Sequence, residues 1–290
     1  MEALIFPDKS RKAFLIDEKD METALKELSL PAHLIDSIMR EDRQRAIPHD
    51  GLTLILRRFT FEEQLEQHPF IILLRNDFIA IISGKDFLER IKEDFERNSY
   101  DCKSSLDVFM SLSLLRLVDE YYRVYDAIED EIDELEDEVS ENPSKIGIDE
   151  FRRVRDSLIR FRRALYSFRE IASLMLGRGV YEISDNAERI IQEVYEDLVQ
   201  LMDMVESQRE RLADVRDLHL SALSLSLNEI MKKLTAVNVI ALPLIIIAGI
   251  YGMNLMIPEA KWPYAYPAVL IAMFSIAFLL TLILRRKGWI

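Results

Sequence analysis

The architecture is decided by the uncharged run LTAVNVIALPLIIIAGIYGMNLMIP, which occupies residues 234–258. A second run without a charged residue, residues 262–284, begins after a connector of only three residues. An α-helix needs roughly 20 residues to cross the hydrocarbon core of a bilayer, and both runs exceed that length. The sequence therefore predicts two membrane spans at the C-terminal end of the chain, preceded by a large hydrophilic body.

Charged residues at the ends of the two runs indicate how the spans are oriented. Lys232 and Lys233 precede the first run and the basic residues 285–287 follow the second, whereas the connector holds only Glu259 and Lys261. The positive-inside rule places basic flanks on the cytoplasmic side. We therefore expect a two-pass protein of the cell membrane, with both termini in the cytoplasm and a short external loop.

Composition argues against several functional classes. The 290 residues carry a formal net charge of −14, the opposite of the basic footprint typical of nucleic-acid-binding proteins. Cys102 is the only cysteine, and the four histidines are scattered without the spacing of a zinc site. The sequence contains no Gly-rich phosphate loop, nucleophile elbow or kinase-like set of motifs. We expect neither an enzyme nor an organic cofactor, and no nucleic-acid partner.

The first hundred residues mix helical and strand signals. Short runs of branched apolar residues indicate strands, two of them joined by the turn-forming residues Arg75-Asn-Asp as a hairpin. Amphipathic stretches between them indicate helices. The predicted strands are residues 52–56, 70–74 and 78–82, and the predicted helices are residues 17–28, 31–40 and 85–97.

From about residue 104 onward the pattern is helical. Residues 117–139 hold eleven carboxylates against the single Arg123, with apolar residues at three- and four-residue steps. A turn at residues 141–147 leads into a segment rich in arginine, which predicts an antiparallel helical hairpin with complementary faces. The acidic residues fit either a solvated helix face or a surface that attracts cations.

A helix predicted for residues 190–254 carries an unusual seam. Alternating steps of four and three residues give a 3.5-residue period, typical of helices that supercoil left-handed about an axis. Leucine and isoleucine would fill an ordinary seam, but eight of these eleven positions are polar or small. The seam consists of Asp217, Ser221, Ser224, Asn228, Met231, Thr235, Asn238, Leu242, Ile245, Gly249 and Gly252.

Two interpretations of this seam compete. Small and polar residues can hold membrane helices together, and the pair Gly249 and Gly252 alone favours that interpretation. Polar residues at membrane depth are otherwise expensive unless they face a partner or water, and this seam continues from Asp217 to Asn254. The continuity favours a pore lining. Two spans cannot enclose a pore, so several chains would each contribute one long helix.

The end of this helix carries a family signature. Tyr251-Gly-Met-Asn254 followed by Ile257-Pro-Glu259 resembles the signature of the CorA family of magnesium and cobalt transporters, in which Gly-Met-Asn ends the first of two C-terminal spans. Residues 228–235, residues 130–139 and the region around Asp36 also resemble the family. The resemblance implies an α+β membrane protein that assembles as a funnel-shaped homopentamer, with an N-terminal α/β cytosolic domain and a long helical stalk.

Departures from the family pattern concern details of conduction. Ile245 and Leu242 stand where threonine and methionine are common in the family, and Ile257 and Ala260 replace two residues of its loop motif.

The predicted layout is a cytosolic α/β domain (1–103), a cytosolic helical region with the hairpin and stalk (104–230), a pore-lining span (231–254), an extracytoplasmic loop (255–265), a second span (266–284) and a basic cytosolic tail (285–290).

The resemblance implies roles for individual residues. Gly252, Met253 and Asn254 would form the selectivity filter, and Glu259 an outer acidic ring. The pore lining and gate would comprise Asp217, Asn228, Met231, Leu234, Thr235, Asn238, Leu242, Ile245 and Gly249. A cytosolic regulatory metal site would use Asp36 and Glu193, with Asp119 and Glu120 as weaker candidates.

The implied function is influx of Mg²⁺, and also of Co²⁺ with Ni²⁺ as a further candidate, with Mg²⁺ acting both as substrate and as regulatory ligand. The implied partners are further copies of the chain, the lipid bilayer and divalent cations. Two alternatives stay open: a zinc or proton-coupled transporter of the same architecture, and a membrane-anchored oligomeric scaffold whose spans serve only as anchors.

Overall fold

A computed structural model of the chain describes residues 2–6, 11–28, 35, 44–48, 51–61, 64–97, 105–177, 182–253 and 262–289. The chain divides into two compact units. The first comprises Met1–Glu141 and Lys145–Arg216, and the second comprises Asn142–Ser144 and Asp217–Ile290. One long helix, Asp185–Tyr251, contributes residues to both units.

The first unit contains a sheet of six described strands in the order β1-β2-β6-β5-β4-β3. Strands β2 and β6 pair in parallel, and all the other neighbouring strands pair antiparallel. The strands are β1 (Glu2–Ile5), β2 (Lys12–Asp17), β3 (Arg45–Pro48), β4 (Leu52–Phe61), β5 (Leu65–Leu74) and β6 (Phe78–Ser83).

Both faces of the central strands are buried, which explains why their sequences are apolar without alternation. Helix α1 (Met21–Glu27) packs on one face, and helix α2 (Lys85–Glu96) belongs to the cluster on the other. Alternate residues therefore enter separate cores. Ile55, Ile71, Leu73 and Ile82 pack with Leu25 of α1, whereas Leu54, Ile72 and Ile81 pack with Ile91 of α2.

The predicted hairpin is confirmed as β5 and β6, and the helix predicted at residues 85–97 is confirmed as α2. The helix predicted to begin at Asp17 begins at Met21, because Asp17 ends β2 and a short 3-10 turn follows. The Asp17 carboxylate accepts a hydrogen bond from the Lys19 backbone N–H at 3.0 Å, which stabilises that turn. The helix predicted at residues 31–40 lies outside the described residues except for Ile35.

Three long helices complete the first unit: α3 (Leu106–Glu141), α4 (Ile148–Leu176) and the N-terminal part of α5 (Asp185–Tyr251). The break between α3 and α4 falls within the turn predicted at residues 141–147. The apolar stripe of α3 is buried as predicted, and only Tyr122 keeps partial exposure. Its buried members are Val118, Tyr121, Tyr125, Ile128, Ile132, Leu135 and Val139.

Ion pairs between the long helices involve α5, a helix that the predicted hairpin of α3 and α4 did not include. Arg211 of α5 contacts Asp133 of α3 and lies 2.6 Å from Glu136 of the same helix. Arg162 of α4 lies 3.2 Å from Glu206 of α5. The acidic face of α3 is therefore partly neutralised by the long helix.

A buried polar network fixes the position of α5 against α3. Gln208 of α5 is 5% exposed, and its Nε2 donates hydrogen bonds to the Tyr125 hydroxyl at 2.8 Å and to Glu129 Oε1 at 2.6 Å. Hydrogen bonds to charged groups are stronger than neutral ones, and buried polar atoms need partners. This network favours one register of the two helices over a slipped one.

The second unit consists mainly of the C-terminal part of α5 and helix α6 (Ala265–Arg286), and both helices are long and apolar enough to cross a membrane. Their large apolar side chains remain exposed in the single chain, for example Ile245 at 64% and Phe274 at 74%. Extended apolar surface of this kind marks contact with lipid or with further protein. The helix α5 continues without a break through Pro243, which membrane helices tolerate.

We predict that Gln208→Leu lowers the free energy of unfolding of a soluble 1–216 fragment by about 1–3 kcal/mol, because Glu129 and Tyr125 lose their buried donor. Urea-induced unfolding followed by circular dichroism measures the change. The control is Gln192→Leu, since Gln192 is exposed and bonds only within α5, to Glu196. Equal stability of the two variants would contradict a structural role for the network.

Candidate functional site

All eleven positions of the polar seam are exposed in the single chain. Less exposed positions along the membrane-crossing part of the same helix include Ala236, Ile240, Leu244 and Ile247. At 100° per residue these positions lie about 180° around the helix from the seam. The seam therefore belongs to the surface that the chain itself leaves uncovered, as contact with other copies of the chain or with water requires.

Polar side chains on the two apolar helices differ in where their hydrogen-bond partners lie. The Thr235 hydroxyl donates to the Met231 carbonyl oxygen at 2.7 Å, and Ser275 and Thr281 make the same i−4 bond in α6. The donor capacity of these hydroxyls is therefore satisfied within their own helices. Asn238 is different, because its exposed side chain makes no hydrogen bond with any other residue that the structure describes. Its amide therefore requires hydrogen-bond partners from water or from another chain.

The C-terminal end of α5 leaves little room for a side chain at Gly252. The helix ends at Tyr251, and the Gly252 N–H still donates to the Ala248 carbonyl oxygen at 2.9 Å. A Cβ atom on Gly252 would lie 3.1 Å from that same oxygen, which is tighter than ordinary contact. Met253 follows with its side chain exposed. Asn254 and Glu259, the remaining predicted filter and ring residues, lie outside the described residues.

Apolar residues also occur on the seam and directly beside it, both near the basic flank and farther along the span. Met231 and Leu234 are exposed and lie within about 60° of each other around α5. Leu242 and Ile245 are also exposed, on the same side of the helix. A ring of such side chains can constrict a pore and close it by excluding water. The arrangement is compatible with the predicted gate.

In the first unit, four carboxylates line one cavity of about 210 Å³. Asp94 of α2, Asp119 of α3, and Glu193 and Asp197 of α5 surround it together with Arg116. Arg116 lies 3.2 Å from Asp94 Oδ2 and 3.2 Å from Asp119 Oδ2. Among the described residues that line the cavity, one arginine thus faces four acids, and the lining carries more negative than positive charge.

The burial and charge of this acidic cavity affect the carboxyl group of Asp197. Burial, followed by the nearby charges of Glu193 and Asp119, raises the pKa of the Asp197 carboxyl above its usual range. Two of the predicted regulatory residues, Asp119 and Glu193, are thereby brought together. Asp197 and Asp94 were not predicted. The spacing Glu193–Asp197, one turn apart on one helix face, was the available signal for Asp197.

The other predicted regulatory residues are placed differently. Glu120 is 6% exposed, and its carboxylate contacts Arg90 and accepts a hydrogen bond from Arg123 at 2.7 Å. It is neutralised by two guanidinium groups and does not line the acidic cavity. Asp36 lies outside the described residues. Within the part of the chain that the structure describes, no three His, Cys, Asp or Glu side chains are arranged to hold a metal ion.

Comparisons with known proteins agree on one family. A family model described as "CorA-like Mg2+ transporter protein" matches residues 14–286. The chain is 30% identical over 244 residues to the cobalt/magnesium transport protein CorA of Thermotoga maritima, covering 82% of this chain and 70% of that protein. It is 28% identical over 291 residues to the protein of the same name from Methanocaldococcus jannaschii, covering 97% and 87%.

Solved structures show the same fold. The complete structure of the CorA magnesium transporter from Methanocaldococcus jannaschii matches with a TM-score of 0.79 and 23% identity, covering 100% of this chain and 95% of that one. The full-length CmaX protein matches with a TM-score of 0.67 and 18% identity, covering 96% and 89%. The α/β sheet, the long helix and the two C-terminal apolar helices therefore form one shared architecture.

The acidic cavity predicts a pH effect at Asp197. Because its pKa is raised in the fold, the ionised carboxylate destabilises the folded state at pH 7, and this penalty disappears as the pH falls through that pKa. At pH 7 without divalent cations, Asp197→Asn should increase the free energy of unfolding of the detergent-solubilised chain by less than about 1 kcal/mol. Its thermal unfolding midpoint should rise accordingly. The gain should vanish at pH values below the ordinary carboxyl range.

The control for this experiment is Asp203→Asn, an exposed acid on the same helix, which should leave the midpoint nearly unchanged at both pH values. A midpoint for Asp197→Asn that is equal to or below the wild-type value at pH 7 would show that the carboxylates do not repel one another as described.

Proposed function

Because the chain belongs to the CorA-like Mg²⁺ transporter family, we propose that it conducts Mg²⁺, and also Co²⁺, through a homopentameric pore lined by α5. The observation that carries this proposal is Asn238, an exposed amide within an apolar span that has no partner among the described residues. A polar group at that depth is stable only beside water or another polar group. A ring of five such amides around a water-filled axis supplies both.

Assembly into a closed ring follows from the geometry of the seam. Two spans in one chain cannot surround an aqueous path, whereas a rotationally symmetric ring closes it with one α5 from each copy. The face carrying Ala236 and Ile240 then packs away from the axis, and the opposite face with the seam lines it. A left-handed supercoil of 3.5-residue period keeps that face toward the axis over many turns.

Ion recognition uses amide oxygens because of the hydration chemistry of Mg²⁺. This ion loses its water shell reluctantly and usually retains several waters when bound. A ring of Asn254 amides after Gly252 and Met253 accepts hydrogen bonds from the hydrated ion without binding it too tightly to leave. Glu259 in the external loop adds an acidic ring that concentrates cations before they enter.

The cytosolic section of the pore holds the gate. Asp217 and Asn228 form polar rings on the cytosolic side, and Met231 and Leu234 form the apolar constriction between these rings and the span. When the constriction is narrow it excludes water and blocks ions, and a modest widening rehydrates it. Thr235, Asn238, Leu242, Ile245 and Gly249 line the path beyond it.

Orientation in the cell membrane follows from the basic flanks. Lys232 and Lys233 lie at one end of the first span, and Arg285 and Arg286 lie at the corresponding end of α6. The positive-inside rule places these ends, and with them both termini, in the cytoplasm. Trp262 and Tyr264, whose rings are 6.2 Å apart, then lie at the outer interface, where amphipathic rings are favoured.

Cytosolic Mg²⁺ regulates the channel through the acidic cavity under this proposal. Glu193 already lies with Asp119 and Asp197 in one chain, and the excess negative charge is supported by the raised pKa of Asp197. Asp36 of a neighbouring copy completes the site. Mg²⁺ neutralises the acids and favours the packed arrangement of the subunits, because the complete site exists only in that arrangement. A ligand shifts an equilibrium only through such a difference in affinity.

We predict that Asn238→Leu lowers Mg²⁺ uptake into proteoliposomes at least tenfold, because a dry apolar ring raises the conduction barrier by about 1.4 kcal/mol or more. Asn238→Ser should retain most of the uptake. Uptake is followed with an internal Mg²⁺-sensitive dye, and size-exclusion chromatography checks the oligomer. Co²⁺ should compete with Mg²⁺ in the same assay, and more effective competition by Zn²⁺ would favour a zinc transporter.

The matched control is Val237→Leu, which adds one methylene at an exposed position about 100° around the helix from Asn238. Its uptake should equal that of the wild type. Unchanged uptake by Asn238→Leu, in an intact oligomer, would contradict the pore-facing placement of Asn238.

We predict that Mg²⁺ protects the cytosolic part of the wild-type oligomer from limited proteolysis, and that Asp36→Ala/Glu193→Ala requires about tenfold more Mg²⁺ for the same protection. The loss of one carboxylate ligand on each side of the site accounts for the shift. The control Asp203→Ala/Glu210→Ala removes the same charge from exposed positions of α5. Equal protection of the wild type and the Asp36/Glu193 variant would exclude these two residues from the sensor.

A further inference from the structure

The section of α5 that precedes the first span carries a row of apolar side chains beside the polar seam. Leu220, Leu223, Leu227 and Ile230 follow one another at steps of three, four and three residues, and they share an arc of about 80° around the helix. Leu220, Leu227 and Ile230 are 54%, 62% and 59% exposed in the single chain. We call these four residues the leucine flank, and none of them belongs to the polar seam.

Lipid does not account for the exposure of the leucine flank. All four residues precede Lys232 and Lys233, the basic pair that marks the cytosolic end of the first span. On the water side of a membrane, a row of large exposed apolar side chains marks a contact with protein. Alternating steps of three and four residues are the spacing with which helices pack side by side. The leucine flank therefore fits another helix.

A cavity of about 810 Å³ opens on the other side of the polar seam, at the same height along α5. Leu225 and Lys232 line it, about 140–160° around the helix from Leu227, and Asn228 of the seam lies between. Leu225 is 66% exposed, so the cavity is open in the single chain. We call it the tryptophan cavity, because Trp289 of the C-terminal tail also lines it.

The end of α6 holds Trp289 at this cavity. Gly288 has a φ of +68°, a left-handed conformation that favours glycine. The Gly288 N–H donates to the Arg285 carbonyl oxygen at 3.2 Å, and the Trp289 N–H donates to the Leu284 carbonyl oxygen at 3.0 Å. These two hydrogen bonds form a Schellman motif, which ends the helix and fixes the backbone at Trp289.

A further hydrogen bond fixes another part of the cavity wall. Pro143, in the turn after α3, lines the cavity, and His219 Nε2 of α5 donates to its carbonyl oxygen at 2.8 Å. Pro143, His219 and Trp289 all belong to the second unit. A wall that is already ordered lowers the entropic cost of binding a partner.

The symmetry of a closed ring brings the two surfaces together. Rotation about one axis places equivalent residues of all copies at the same height, and each copy presents one flank to each of its two neighbours. The α5 residues of the tryptophan cavity fall between 225 and 235, the height of Leu227 and Ile230. Glu229 and Lys232 are the charged residues among the described lining, and their charges are opposite. No net charge therefore opposes an apolar partner.

From these observations we infer that Leu227 and Ile230 of one copy occupy the tryptophan cavity of the next copy, so that Trp289 is part of the interface between copies. This inference rests on the proposed ring of α5 helices, to which it adds a defined contact. Met231, a predicted gate residue, lines the same cavity. The contact therefore couples the gate section of one copy to the long helix of its neighbour.

The test is thiol cross-linking between copies of the full-length oligomer in detergent, in the Cys102→Ser background. Two chains with different affinity tags are co-expressed, one carrying Leu227→Cys and the other Trp289→Cys, and a short bismaleimide is added. A product that carries both tags should form. The control replaces Leu227→Cys with Leu220→Cys, on the same flank but about 10 Å farther from the membrane, and should give at least about tenfold less product.

Substitution of Trp289 tests the contact without cysteines. Trp289→Ala should raise the dissociated fraction in size-exclusion chromatography about tenfold, because loss of an interface tryptophan commonly costs that factor or more in affinity. Trp289→Phe should restore most of the oligomer. The control is Trp262→Ala, which removes the same side chain before α6 begins and should leave the dissociated fraction unchanged.

Lipid as the occupant of the cavity is tested with brominated phospholipid, which quenches an indole that lipid covers. In a Trp262→Phe background we expect weak quenching of Trp289, and strong quenching would overturn the inference. Equal cross-linking at Leu220 and Leu227 would also overturn it. A wild-type ring that conducts Mg²⁺, but whose Leu227→Cys and Trp289→Cys chains give no product, overturns this inference alone. A wild-type chain that forms no ring or takes up no Mg²⁺ contradicts the proposed function itself.

Discussion

A polar side chain at the depth of a hydrocarbon core must face water or another polar group, and Asn238 imposes this constraint on the whole of α5. Its amide is exposed and has no partner among the described residues, whereas Thr235, Ser275 and Thr281 are satisfied by their own helices. Lipid on the Asn238 face would leave the amide unsolvated. The other residues of that face are consequently polar, small or placed to form a constriction, and the less exposed residues opposite them in the span, Ala236, Ile240, Leu244 and Ile247, are aliphatic.

The N-terminal part of the same helix contributes two carboxylates to a cavity that holds further acids. Glu193 and Asp197 share a cavity with Asp94 and Asp119, and Arg116 is the one basic residue among the described residues that line it. Close carboxylates repel one another, and a divalent cation removes that repulsion more effectively than a single guanidinium group. A helix that bears both an acidic cavity and a polar seam can respond to the cation that it conducts.

Much of the fold could be predicted from local pattern. The uncharged runs identified both spans, because membrane helices need length and low charge and little else. The β5–β6 hairpin followed from branched apolar runs around Arg75-Asn-Asp. The short strands β1, β2 and β3 were missed, since pairing with distant strands defines them more than their own sequence does. The predicted start of helix α1 was too early, because Asp17 belongs to β2 and its carboxylate supports a turn.

The sites were less predictable where they depend on tertiary contacts. The 3.5-residue period of the seam is local, so its exposed face could be found from sequence alone. Glu120 does not line the acidic cavity, and its partner Arg90 comes from another helix 30 residues away. Arg57, Arg160 and Arg163 line one cavity because the sheet packs on α4. Their spacing in the sequence does not predict that they lie close together.

The most direct measurement is the reaction of single cysteines along α5 with a charged, membrane-impermeant thiol reagent. The Cys102→Ser background removes the only native thiol, and the oligomer is held in EDTA to favour the open pore. We expect Asn238→Cys, Leu242→Cys and Ile245→Cys to react, and Ala236→Cys, Ile240→Cys and Leu244→Cys to be protected. Reaction at Ala236 and Ile240 with protection at Asn238 and Ile245, or reaction without helical periodicity, would contradict a pore lined by the polar seam.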